Sequence, residues 1–123
     1  MKTLVGGLLG LLLLAGCAPQ QQMYYWGDYS ESLYSLKKNP SEESMAKHVG
    51  TLEAIIQNSQ ELDKRVPPGI YGELGYYLAR QGNPKKAEKY FLKEEEVYPE
   101  SKKLMTDLIA QLETDQEPQG GEK

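Results

Sequence analysis

The sequence predicts an all-α fold of about five helices stacked as antiparallel hairpins. Apolar residues recur every three to four positions through most of the chain after residue 23, which is the spacing of one helix face. Breaks rich in proline, glycine and asparagine separate these stretches. The best-defined break, Gly82-Asn83-Pro84, leaves so short a connection that the flanking helices must lie antiparallel.

Two helices are predicted before the central hairpin. The first spans Gly27 to Lys38, with Asp28 as a candidate cap and Asn39-Pro40 as its stop. The second is long and amphipathic and spans Ser41 to Asp63, with the Ser41 hydroxyl as its N-cap. Its predicted apolar face consists of Met45, Val49, Leu52, Ile56, Ser59 and Leu62.

The segment from Pro67 to Ser101 predicts a hairpin of two interlocking helices, the third and fourth. Leu74 and Leu78 share one face, and Gly75 beside them removes a side chain so that a neighbouring helix can approach. The facing surface of the fourth helix is formed by Ala87, Phe91, Val97 and Tyr98.

This hairpin resembles a single tetratricopeptide (TPR) repeat. The resemblance implies TPR-like helical hairpins that stack side by side. It fails at Glu94, where such repeats usually carry a small apolar residue, and this departure predicts a local opening or a solvent-facing turn. The residues that match in order and spacing are Tyr71, Leu74, Gly75, Leu78, Gly82, Ala87, Phe91 and Pro99.

A fifth helix is predicted to open at Glu100 and Ser101 and to close the stack. Its apolar stripe consists of Leu104, Met105, Leu108, Ile109 and Leu112. The predicted organisation is a removable signal peptide over residues 1–16, a lipidated cysteine and tether over 17–23, a helical domain over 24–112 and a disordered tail over 113–123.

The N-terminal segment predicts a lipid anchor. Lys2 precedes an apolar run of about 11 residues, too short for the roughly 20 needed to span a bilayer. Leu14-Ala15-Gly16-Cys17 then resembles a bacterial lipobox, which implies a diacylglycerol thioether and an N-acyl chain on Cys17. An ordinary secretory signal with an accidental cysteine is the alternative. Ala18 resembles the outer-membrane choice at the sorting position, and no other cofactor is expected.

Composition and motifs argue against nucleic-acid binding and against enzymatic activity. The net charge of −4 and a pI near 5.1 give no basic surface for nucleic acid. The one histidine, His48, has no carboxylate or cysteine at a matched spacing, so a surface or half-packed position is predicted. No metal site and no catalytic residue are expected.

The aromatic residues after the tether are candidate binding residues. Tyr24, Tyr25 and Trp26, with Tyr29, are suited to a lipid interface or to a partner in it. In the alternative reading, Trp26 and Tyr29 form the core face of the first helix, and Tyr24 and Tyr25 are the more exposed pair.

The TPR resemblance also implies a groove along the inner face of the third helix. Carried onto this chain, the groove positions are Gly72, Tyr76, Ala79 and Arg80. Tyrosine and arginine are common anchors at interfaces, so an extended peptide or a partner helix is the expected ligand. The alternative is that Tyr76 packs against the first or second helix.

Three segments together resemble a family of small Gram-negative lipoproteins of unknown function: YYWGDYSESLYSLKKNP, RVPPGIYGELGYYLARQGN and YFLKEEEVYPESKKLM. Members are encoded beside a CsgG-like lipoprotein and a second small lipoprotein. The resemblance implies an outer-membrane adaptor, facing the periplasm, in an envelope assembly or secretion system. A carrier that holds a lipid or small apolar ligand between its helices is the alternative.

Overall fold

Five α-helices make up most of the described chain. The computed structural model describes residues 16, 17 and 19–116. Its helices are α1 (Tyr29–Lys38), α2 (Glu42–Glu61), α3 (Ile70–Arg80), α4 (Pro84–Val97) and α5 (Lys102–Gln116), with a 3₁₀ turn at Pro99–Ser101. No strand occurs over the described residues, so the predicted all-α fold with five helices is confirmed.

Some predictions fall outside the described residues. These are the signal peptide before residue 16, the sorting position Ala18 and the end of the tail, residues 117–123. The first part of the predicted tail is described, and there the prediction is wrong. Residues 113–116 are helical, because α5 continues for another turn past Leu112.

The N-termini of α1 and α2 are built differently. Ser41 caps α2 through a reciprocal arrangement: its Oγ accepts from the Ser44 backbone N–H at 3.0 Å, and the Ser41 N–H donates to Ser44 Oγ. Asp28 occupies the N-cap position of α1, but its side chain makes no capping hydrogen bond. The expected Asp28 cap is therefore wrong, and α1 begins two residues later than predicted.

The central hairpin interlocks at Gly75. A Cβ built on Gly75 would lie 2.7 Å from Phe91 Cε1 and 3.0 Å from the Ala87 backbone oxygen. Real Cβ atoms do not approach so closely, so only glycine lets α4 pack against α3 at this point. Leu74, Ala87 and Phe91 are almost fully buried around this contact, as the sequence predicts.

The apolar core lies where α2, α3 and α4 meet. Leu52 and Ile55 of α2 pack against Ile70 and Leu74 of α3. The buried face of α2 is rotated from the prediction: Ile55 is buried, Ile56 only half-buried and Leu62 exposed. Leu62 is exposed because it lies past the last turn of α2, where the chain leaves the core.

Glu94 is a buried residue of α4 whose side chain caps the N-terminus of α3. Its Oε1 accepts from the Gly69 backbone N–H at 2.7 Å, and its Oε2 accepts from that of Gly72 at 3.3 Å. Gly69 has a φ of 91° and no side chain, so α3 has no cap of its own. The predicted solvent-facing turn at Glu94 is therefore wrong: the carboxylate replaces a small apolar residue because it satisfies the open end of α3.

We predict that Glu94→Ala lowers the free energy of unfolding by about 2–3 kcal/mol, because two N–H groups lose their acceptor. Glu94→Gln should recover part of this loss, since one amide oxygen can still accept. Urea unfolding followed by circular dichroism measures both, with the exposed Glu88→Ala on the same helix as control. A Glu94→Ala variant as stable as the Glu88→Ala control would contradict the capping role.

Candidate functional site: a groove between α3 and α5

Helix α5 contacts α3 near its N-terminus and leaves a groove further along. At the contact, Met105 Cε lies 3.2 Å from the position of a Cβ on Gly72. Toward the C-terminal ends of α3 and α5, the helices flank an open cavity of about 420 Å³. Its apolar lining, which we call the floor, is formed by Phe91 of α4 with Leu108 and Leu112 of α5. We call this cavity the α3–α5 groove.

The groove has polar groups of both charges on its two walls. On α3, Arg80 Nη1 donates to the Tyr76 hydroxyl at 3.0 Å, and the guanidinium lies 5.7 Å from the centre of the Tyr76 ring. On α5, Asp115 and Gln116 line the other wall. Tyr76 is 43% exposed, which argues against the alternative that its side chain packs against the first or second helix. An apolar floor between charged walls suits a polypeptide side chain flanked by polar groups.

Gly72 does not belong to this groove. It is buried under Met105 and the Glu94 side chain, and its N–H is bound to Glu94. The prediction that Gly72 lines a binding surface is therefore wrong, since this position serves the close packing of α5 on α3. Of the positions predicted from the TPR resemblance, the structure brings Tyr76, Ala79 and Arg80 together at the groove.

The aromatic residues before α1 have an exposure opposite to the one predicted. Tyr24 and Tyr25 are half-buried, whereas Trp26 is 41% exposed. The Tyr25 ring lies against Gly27, 3.2 Å from the position of a Cβ there. Trp26 stands beside the Tyr29 ring, 5.4 Å between centres, and only Tyr29 of this pair packs against the core. We call Tyr24, Tyr25 and Trp26 the aromatic start. Trp26 is its most exposed residue.

Tyr98 connects the aromatic start to the end of the central hairpin. Its hydroxyl donates to the Val66 carbonyl at 2.6 Å, and the Arg65 guanidinium lies 4.6 Å from the ring centre. Burial raises the pKa of Tyr98, and interaction with the Tyr24 hydroxyl raises it further. The Tyr24 ring also lies 6.4 Å from the Trp26 ring, which stands beside Tyr29. Because the Tyr29 hydroxyl binds Glu73 in the first turn of α3, this segment lies near the end of the bundle where α3 begins.

A buried polar cluster joins α1, α2 and α3. His48 is fully buried, with its Nδ1 2.8 Å from Ser32 Oγ and its Nε2 2.8 Å from Glu73 Oε1. The Tyr29 hydroxyl donates to Glu73 Oε2 at 2.8 Å, and Ser32 Oγ donates to the Tyr29 carbonyl. The predicted surface or half-packed position of His48 is therefore wrong. Its carboxylate partner comes from another helix, 25 residues along the chain.

The His48 cluster contains the residue types of a hydrolase triad, but its geometry favours a structural role. Ser32 is 1% exposed, so a substrate carbonyl has no access to its Oγ. Each ring nitrogen of His48 is bound to a partner within the bundle. In the described part of the chain, no group of three or more His, Cys, Asp or Glu side chains is arranged to hold a metal ion.

Comparison with known families identifies the domain. A family described as a domain of unknown function, DUF4810, matches residues 23–108, which is more than half of the chain. The chain belongs to the DUF4810 family. No curated protein and no solved structure matches it significantly. The family match runs from just before the aromatic start to Leu108 at the groove.

Sequence reasoning missed the α5 side of the groove in this DUF4810 domain. Leu108 and Leu112 were expected in the apolar stripe of the fifth helix, and Asp115 fell in the predicted tail. Periodicity indicates which side of a helix is apolar, but not that α5 and α3 separate after Met105. Past Leu112, the last turn of α5 has no apolar residue that would indicate a helix.

Alkaline pH should destabilise the domain through Tyr29. Burial, the hydrogen bond to Glu73 and the charge of that carboxylate raise the pKa of Tyr29 from 10.0 to about 12. The unfolded chain therefore loses this proton more readily, so the stabilisation is complete below pH 10.0 and is lost as the pH rises toward about 12. Urea unfolding across this range should show a shallower decline for Tyr29→Phe than for wild type. The exposed Tyr34→Phe is the control, and equal slopes for all three proteins would contradict the assignment.

Proposed function

We propose that this DUF4810 protein is an outer-membrane-anchored, periplasm-facing lipoprotein that acts as a protein–protein adaptor. Its partner is a CsgG-like lipoprotein, or a second small lipoprotein, of an envelope assembly or secretion system. The α3–α5 groove carries this proposal, because Tyr76 and Arg80 stand exposed at its rim above an apolar floor. Tyrosine and arginine are enriched among the residues that dominate interface energies.

The anchor is supported by Cys17 and its surroundings. Cys17 is the only cysteine of the chain, it is exposed, and it follows the apolar run and small residues described above. No helix among residues 16, 17 and 19–116 is long and apolar enough to cross a bilayer. An acyl chain contributes about 0.8 kcal/mol per buried CH₂, so two or three chains hold the protein on the membrane. The TPR-like stacking of α3, α4 and α5 then presents the groove to a partner.

A photocrosslinking experiment in native membranes tests the adaptor role. The chain is produced with p-benzoylphenylalanine in place of Leu108 at the groove, together with a CsgG-like lipoprotein as the proposed partner. We expect a crosslink to that lipoprotein from position 108 and none from Leu92, which is 50% exposed on α4 and does not line the groove. No crosslink from position 108, or equal crosslinks from both positions, would argue against a partner at the groove.

The anchor is tested separately by Cys17→Ser. We expect the wild-type chain to incorporate labelled palmitate and to sediment with envelopes, and the variant to do neither. The anchor would be contradicted if the variant incorporated palmitate. It would also be contradicted if wild type incorporated none and the variant still sedimented with envelopes.

The size of the groove favours a second candidate function, a carrier of a lipid or small apolar ligand. Its volume of about 420 Å³ lies within the range of small-molecule sites. Native mass spectrometry of protein released gently from membranes separates the two functions. A carrier retains a bound small molecule of constant mass, and a Leu112→Asp variant loses it; an adaptor shows the mass of the chain and its acyl groups alone.

A further inference from the structure

The aromatic start and the α3–α5 groove lie at opposite ends of the central hairpin. The Trp26 ring lies 5.4 Å from the Tyr29 ring, and the Tyr29 hydroxyl binds Glu73 in the first turn of α3. The Tyr24 ring lies 6.4 Å from Trp26, on the side of Tyr98, which binds the Val66 carbonyl just before α3 begins. The groove lies at the other end of α3, around Tyr76 and Arg80. Helix α3 has 11 residues, so about 15 Å separates the two ends. We call the end that contains Tyr24, Val66 and Tyr98 the basal end.

The basal end exposes apolar side chains where the chain arrives from Cys17. Met23 is 72% exposed and Trp26 is 41% exposed, although the neighbouring Tyr24 and Tyr25 fold back onto the bundle. Leu62, at the end of α2, is 53% exposed. Exposed apolar residues scattered singly need no explanation, but Met23 and Trp26 follow one another closely on a segment whose other aromatic residues are held in place.

The tether limits what can cover Met23 and Trp26. Five residues lie between Cys17 and Met23, so an extended tether reaches at most roughly 20 Å. A lipid anchor on Cys17 would keep the basal end within this distance of the bilayer at all times. Indole and thioether groups are favoured at the boundary between headgroups and acyl chains, and tyrosine hydroxyls can remain hydrated there.

Charge does not favour an anionic surface. Lys64 and Arg65 lie at the basal end, but Asp28, Glu61 and Asp63 neighbour the same loops. The attraction is therefore expected to come from apolar burial and aromatic partitioning, with little dependence on salt or on anionic lipid.

We propose that Met23 and Trp26 insert into the lipid headgroup boundary, so that the basal end rests on the bilayer and the groove opens away from it. The inference rests on the proposed function in one respect, because it takes Cys17 to be attached to lipid. It goes further in assigning a lipid-contact surface and an orientation. In that orientation a partner reaches the groove from the aqueous side, without competing with the membrane.

Trp26 is the only tryptophan of the chain, so its fluorescence reports on this surface alone. The lipid-anchored protein is reconstituted in phosphatidylcholine vesicles with or without brominated acyl chains. We expect a blue-shifted emission and roughly a twofold quenching by the brominated lipid, since interfacial groups lie about 5–10 Å into the boundary. The matched control moves the probe to the groove with Trp26→Phe and Tyr76→Trp, and this emission should be neither shifted nor quenched.

The outcomes separate this inference from the proposed function. If mass spectrometry finds Cys17 unmodified, the chain from Cys17 onward, which retains all five helices, is coupled through that thiol to a maleimide lipid, and the same quenching is measured. Unquenched Trp26 emission on tethered protein overturns the inference even where the groove crosslinks its partner. A blue-shifted but unquenched Trp26 indicates burial against another copy of the chain, and it overturns the lipid contact. Quenching of the probe at position 76 overturns the orientation.

Discussion

Replacing Gly75 by alanine is expected to lower the free energy of unfolding by about 2–3 kcal/mol, although alanine is the better helix former. The added Cβ would lie 2.7 Å from the Phe91 ring and 3.0 Å from the Ala87 backbone oxygen. The ring is fully buried, so it cannot swing into solvent, and the backbone oxygen belongs to α4 itself. The two helices must therefore move apart, which also loosens the floor of the groove.

Gly50→Ala on α2 is the matched control for this prediction. It is also a helical glycine, but no atom lies within 4 Å of the position of its added Cβ. Helix propensity alone then applies, and the variant should gain about 0.5–1 kcal/mol. Urea unfolding monitored by circular dichroism compares the two variants. Opposite signs are expected, and a Gly75→Ala variant as stable as Gly50→Ala would show that α3 and α4 do not interlock at this position.

Replacing His48 by alanine is expected to cost about 3–4 kcal/mol. The substitution removes the imidazole from both partners at once, so Ser32 Oγ and Glu73 Oε1 each lose a contact of 2.8 Å. It also leaves a cavity between the Tyr29 and Tyr77 rings, whose centres both lie 5.6 Å from the imidazole. Because these groups come from α1, α2 and α3, the loss should affect the whole bundle.

Lys47→Ala controls for the change at the neighbouring position of α2. Lys47 is exposed and forms only a surface ion pair with Glu31 at 3.7 Å, so its loss should change stability by about 0.5 kcal/mol or less. Thermal unfolding of both variants should move the midpoint strongly for His48→Ala and hardly at all for Lys47→Ala. Similar midpoints would contradict the structural role of the His48 cluster.

The helices and their order could be predicted from the sequence because they depend on local signals. Ser41 marks the start of α2, the break at Gly82 ends α3, and the spacing of Gly75 to its neighbours predicts a close helix contact. These signals act through neighbouring residues or through the 3.6-residue period, and both can be read along the chain.

The polar contacts could not be predicted in this way. His48 and Glu73 meet only when α2 and α3 pack. Glu94 of α4 reaches Gly69, 25 residues away, across the central hairpin of α3 and α4. Each is a charged or polar residue that local reasoning assigns to the surface. For the same reason, only the α3 wall of the groove could be anticipated, because Tyr76 and Arg80 lie one turn apart on a single helix. The α5 wall depends on how two separate helices diverge, which no local pattern indicates.

The two walls of the groove differ in how firmly they are held. Helix α3 contributes six buried residues to the bundle, whereas α5 has a single one, Met105, near its start. Local opening is easiest where few apolar groups are buried, so the C-terminal turns of α5 can shift or fray while α3 stays fixed. The width of the groove is therefore adjustable from one side, and an occupant that contacts Leu108 and Leu112 would gain affinity by ordering that helix against a rigid template.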